Sequence, residues 1–187
     1  LLAIPSVPGP ALVKLRAVKR PEICELAAGL LTQTRASPGV AAEAPVKIFV
    51  MGANTWRDET EWPPARAKTR TFHLHSSGKA NTPSGDGRLV AETPGPASDS
   101  YVYDPHDPVP TLWSPAMFTL PADQSPLAKR GDILVYQTDP LPEALEVTGY
   151  PEVVLHAASS APDTDFFVRL IDVAPDGKNR DLAMGMV

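Results

Sequence analysis

His73 and His75 stand two residues apart in Thr69–His75, a run in which Thr69, Thr71, His73 and His75 alternate with Arg70, Phe72 and Leu74. On a strand that spacing puts both imidazoles on one face, the start of a zinc site. A metal needs further ligands, and Asp86 and His106 are reached only through loops, so a polar strand face is the simpler reading. Carboxylates gather in Asp104-Pro105-His106-Asp107 and in Asp163-Thr164-Asp165. Calcium takes about six to eight converging oxygens, and neither run has the glycine spacing of an EF-hand loop. Aspartates capping their own turns explain both runs with less. Ser76-Ser77 and Ser159-Ser160 lack the glycine two residues before the serine that a hydrolase nucleophile elbow carries, so no serine here sits in a nucleophile's setting. Trp56, Trp62 and Trp113 raise the alternative of an aromatic platform in a carbohydrate- or ligand-binding β-sandwich. Coplanar exposed rings would favour it, and dispersed or buried rings would favour packing.

The elements that must position these residues are short. Val46–Met51 is an apolar, β-branched strand. A glycine break at Gly52 follows, then a charged loop holding Trp56 and Trp62, with Arg57 among Asp58, Glu59 and Glu61 as a salt-bridge partner. Further strands are expected at Thr69–His75, Arg88–Val90, Ser100–Tyr103, Ile133–Gln137, Leu145–Thr148, Glu152–Ala158 and Asp165–Val173. Asn81 and Gly85-Asp86-Gly87 read as tight-turn material, and Pro175-Asp176-Gly177 as a hairpin-type turn. Strands at this spacing, with no helical periodicity between them, indicate an all-β antiparallel sandwich or jelly roll. After Asp176 there is room for one more strand, so an edge would be left unpaired and the chain would be marginally stable alone.

Composition narrows the rest. Twenty-two of 187 residues are proline, about 12% against a usual level near 5%. They fall between apolar runs rather than inside them, as ordered loops of a β-protein require. The net charge of −5 argues against nucleic acid. No apolar run reaches the roughly 18 residues of a membrane span. Cys24, the single cysteine, excludes an internal disulfide. No metal or cofactor is expected. Residues 1–38 contain no aromatic residue and one helix candidate, Glu22–Leu31. Residues 1–44 are therefore read as an appendage and 45–187 as the β-domain.

The ordered set of local runs carries a family resemblance. It comprises Val50-Met51-Gly52-Ala53-Asn54, Trp56-Arg57, Glu61-Trp62-Pro63, Ala80-Asn81-Thr82, Tyr103-Asp104-Pro105, Asp107-Pro108-Val109-Pro110-Thr111, Leu134-Val135-Tyr136, Leu145-Glu146-Val147-Thr148-Gly149, Ser159 to Phe166, Leu170-Ile171-Asp172-Val173 and Pro175-Asp176-Gly177. This series resembles the CocE/NonD hydrolases, a group that includes cocaine esterases, α-amino acid ester hydrolases, cephalosporin-type acylases and X-Pro dipeptidyl-peptidases. The resemblance implies a C-terminal, galactose-binding-like jelly roll that accompanies a serine hydrolase acting on ester or amide bonds. The triad of such an enzyme lies in its α/β-hydrolase part, and the histidine run expected shortly before the match is absent from residues 1–38. Their Leu/Ala/Arg/Pro bias fits a remnant or an out-of-frame stretch.

On this reading the chain itself holds no catalytic residue. The resemblance further implies that the loop after Pro108-Val109-Pro110-Thr111 helps wall the substrate pocket, which nominates Leu112, Met117 and Phe118. Trp56, Arg57 and Trp62 are nominated for the domain interface. The implied partners are the α/β-hydrolase domain, a small ester or amide substrate, and a second copy in a homo-oligomer.

Overall fold

The computed structural model describes residues 12–15, 43–112 and 123–186. The helix candidate Glu22–Leu31, and Trp113, Met117 and Phe118, lie outside the described residues. Within them the strands are β1 (Leu12–Leu15), β2 (Val46–Val50), β3 (Thr55–Glu59), β4 (Arg70–His75), β5 (Arg88–Val90), β6 (Pro151–Val154), β7 (Phe167–Val173) and β8 (Asn179–Met186). The sole helical element among the described residues is a 3-10 turn, Ser125–Lys129. One sheet runs β5-β4-β1-β6, and β2-β3 and β7-β8 form two-stranded antiparallel sheets. The all-β, sandwich-type expectation holds.

Two compact units divide the described residues. One contains 12–14, 71–112, 123–144 and 153–186, and the other contains 15, 43–70 and 145–152. In the first, the pairs His73↔Val90, Leu74↔Leu89 and His75↔Arg88 put Leu74 and Leu89 on one face. Leu74 is the buried centre of a cluster that Leu155, Ala157 and Val168 complete. A neighbouring cluster joins Ala80 and Leu134 to Tyr101 and Tyr136. The run Ile133–Gln137 supplies two of the most buried apolar side chains, as expected of it, yet forms no regular strand. Its main chain is instead stitched to loops: Val135 N donates to Ala80 O at 2.7 Å, and Leu89 N donates to Gln137 O at 3.0 Å.

Three further expectations need revision. Ser100–Tyr103 and Leu145–Thr148 form no strand. Thr55–Glu59, read as a charged loop, is strand β3. Its charges are compatible with a ladder because it pairs fully with β2, from Val46↔Glu59 to Val50↔Thr55. The turn between them needs left-handed backbone at Gly52 (φ 86°) and Asn54 (φ 54°), the two residue types that adopt it at least cost. At the other end of the sequence, β8 is eight residues long and pairs along all of β7, with an irregularity between Leu170 and Ile171.

Candidate functional site

The second unit is built on the β2–β3 hairpin, and its register sorts the side chains unusually. One face carries Val46, Ile48 and Val50 with Thr55, Arg57 and Glu59; the other carries Lys47 and Phe49 with Trp56 and Asp58. The charged pair Arg57 and Glu59 lies on the more buried face, with Glu59 only 5% exposed. The aromatic pair faces out. Phe49 and Trp56 meet edge-on with ring centroids 5.4 Å apart, and are 46% and 66% exposed. Met51, at 65%, lies next to them in the turn.

Arg57 is the hub of the buried face. Its Nε donates to Glu59 Oε1 at 2.6 Å, and its two terminal nitrogens donate in parallel to Glu146 at 2.6 and 2.9 Å. Arg66 donates from both terminal nitrogens to the same Glu59 carboxylate. Thr148 Oγ1 donates to Glu146 Oε1 at 2.7 Å. A two-pronged guanidinium–carboxylate pair fixes geometry as well as charge. Here it ties the hairpin to a segment 89 residues away. Trp62 packs edge-on against Tyr150 of that same segment, 6.2 Å between centroids.

These contacts set the protonation of the site. Arg66, and then Arg57, hold the Glu59 carboxyl at about 2. Arg57, then Thr148, hold Glu146 at about 2 as well. Both groups bind protons less readily when folded than at the ordinary 4.5. The stability they contribute is therefore complete above pH 4.5 and drains as pH falls toward 2. The urea midpoint of the chain is expected to fall across that window, and Glu146→Gln should flatten the fall. Parallel curves for the two proteins would contradict the assignment.

In the first unit the polar groups are structural. Asp99, 4% exposed, accepts bonds from Ser76 Oγ, from Ala80 N at 3.0 Å and from the Tyr136 hydroxyl at 2.6 Å. Burial, and then Asp99, push the Tyr136 phenol above its ordinary range. His73 and His75 share a face of β4, but His73 Nε2 lies 3.4 Å from Thr93 Oγ1 and its Nδ1 is buried with no hydrogen-bond partner among the described residues. Among the described residues no group of three or more His, Cys, Asp or Glu is arranged to hold a metal ion. Asp104 caps its own turn through His106 N, and Ser159 does so through Ala161 N.

Of the residues nominated from sequence, Trp56 is exposed, Arg57 is engaged by two carboxylates, and Trp62 is half-buried on Tyr150. Trp56 and Trp62 thus belong to separate aromatic pairs. Leu112 is half-buried at the end of a described stretch, and Met117 and Phe118 lie outside it. Sequence reasoning already had Glu59 beside Arg57 as an ion-pair partner, and missed Arg66, Glu146 and Tyr150 as members of the set. The signal available was the alternation Arg57, Glu59 on β3 and the presence of Glu146 in a run already singled out.

Comparison with known proteins decides what this domain is. Residues 38–187 match the family model of the X-Pro dipeptidyl-peptidase C-terminal non-catalytic domain. The chain belongs to this family. A cocaine esterase of Rhodococcus sp. (strain MB1 Bresler) is 46% identical over 147 residues, 76% of this chain and 26% of that protein. Two proteins named as serine esterases, one from Mycobacterium bovis and one from Mycobacterium tuberculosis, are 32% identical over 149 residues, 76% of this chain and 22% of theirs. The chain spans about a quarter of the length of the curated relatives it matches.

Proposed function

We propose that this chain is the accessory β-domain of a serine hydrolase that cleaves ester or amide bonds. In that role it docks on a catalytic α/β-hydrolase domain and lends part of the wall of its substrate pocket. The observation that carries the reading is the match of residues 38–187 to a family described as non-catalytic, together with 46% identity to an esterase. The β-domain proper is taken as residues 45–187. The inverted hairpin supports the docking role. An exposed face of Phe49, Met51 and Trp56 on a two-stranded sheet is unfavourable in water unless another surface covers it. Trp56 is then the interface residue in direct contact. Arg57 and Trp62 serve it from behind, through Glu146 and Tyr150. Leu112, Met117 and Phe118 are proposed as the pocket-side residues.

The test is an exchange. The matched segment of this chain replaces its counterpart in the Rhodococcus cocaine esterase, and hydrolysis of a p-nitrophenyl ester is followed. The exchanged enzyme should retain activity, and the 187-residue chain alone should show none. Met117→Ala with Phe118→Ala in the exchanged enzyme should raise KM more than it lowers kcat. A folded, soluble but inactive exchange, or turnover by the chain alone, would sink the reading.

A further inference from the structure

The second unit contains a cleft of about 630 Å³, within the size range of ligand sites. Four cations line it, Arg57, Arg66, Lys68 and Arg70, against the single carboxylate of Glu146. That excess of positive charge is concentrated in a chain whose net charge is −5. Arg57 and Arg66 are already committed to Glu59 and Glu146. Lys68 and Arg70 are exposed and have no ion-pair partner among the described residues.

A second, independent feature is the backbone of the cleft walls. Residues 67–69 on one side and 145–148 on the other belong to no ladder. The main-chain groups of Lys68, Thr69, Leu145, Val147 and Thr148 have no main-chain partner among the described residues. The Leu145-Glu146-Val147-Thr148 wall also has the alternating, β-branched make-up of a strand, with Leu145 and Val147 left exposed. Unpaired strand-like backbone is a template for an added strand. Lys68 and Arg70, beyond the turn that holds Arg66, stand two residues apart, the repeat of side chains along one side of a strand.

We infer that this cleft is a docking groove for an extended peptide segment, supplied from outside these 187 residues, that carries carboxylates at alternate positions. Main-chain hydrogen bonds to the 145–148 wall hold the segment, and Lys68 and Arg70 select its charge. The groove is separate from the Phe49–Trp56 face, and the inference stands whether or not the hydrolase reading does.

The probe is a short synthetic peptide of alternating threonine and glutamate, titrated into the isotope-labelled 187-residue chain. Its binding should shift the amide signals of Lys68, Thr69 and Val147. Affinity should drop about tenfold for the threonine–glutamine analogue, and by as much for Lys68→Glu with Arg70→Glu. Val147→Pro leaves the cations in place and removes one main-chain donor, so it tests the wall separately and should also weaken binding. Equal affinity for the glutamine analogue, or absence of shifts at those amides, overturns the inference. So does self-association of the chain alone that the double charge reversal abolishes, because a second copy would then be the occupant.

Discussion

Asp99→Ala is expected to lower the stability of the folded chain by on the order of 3 kcal/mol, read as a shift in the urea midpoint. The magnitude follows from what Asp99 holds. Its carboxyl group accepts from Ser76 Oγ, Ala80 N and Tyr136 OH. Ser76, Ala80 and Asp99 are all buried, so water cannot replace the lost acceptor without entering the fold. A buried donor left without a partner costs about 1–3 kcal/mol, and this substitution strands three. Two belong to hydroxyls that can rotate toward other acceptors, which keeps the sum below the simple total. Asp99→Asn provides the internal comparison. It keeps one carbonyl oxygen for Ala80 N, and its amide group can donate to a hydroxyl that turns round. Its loss should be less than half that of Asp99→Ala. Equal midpoints for wild type and Asp99→Ala would show that the three bonds contribute nothing net.

Asp99 was not singled out from sequence, and the reason is physical. It sits in an unremarkable Ser-Asp-Ser run, and its partners lie 23, 19 and 37 residues away. Strands were legible where apolar periodicity is local. Val46–Val50 and Phe167–Val173 needed only their own side chains to be recognised. β3 was not, because Arg57 and Glu59 occupy its more buried face while Trp56 faces out, reversing the pattern a reader expects. Leu145–Thr148 has the opposite history: a strand-like sequence without a ladder partner among the described residues. Pairing depends on what arrives beside a segment, and one segment's own residues do not encode it. The family was readable because it rests on many short runs in order. The Arg57–Glu146 link was not, since it joins two of those runs across 89 positions.

Gly87→Ala is the second substitution with a large expected effect, and it tests how the loop-stitched core is closed. Gly85-Asp86-Gly87 has the composition of any tight turn, but Gly87 is needed for space. A methyl group there would lie 2.0 Å from Val135 O and 3.0 Å from Ala80 Cβ. The nearer obstacle is main chain, which cannot rotate away as a side-chain tip would. Relief requires moving the Ile133–Gln137 segment, and with it the bonds Val135 N to Ala80 O and Gln137 N to Gly87 O. Leu134, 2% exposed, rides on that segment against Ala80. Overpacking of this kind costs about 1–3 kcal/mol, and main-chain crowding puts Gly87→Ala at the upper end. Gly95→Ala meets nothing within 4 Å and should change the midpoint by less than about 0.5 kcal/mol. Matching midpoints for the two variants would refute the crowding argument. The two large effects also converge on one residue: Ala80 N bonds Asp99, and Ala80 O bonds Val135. Combining Asp99→Ala with Gly87→Ala should therefore cost less than the sum of the single losses, because either change alone already frees Ala80 from one of its two restraints.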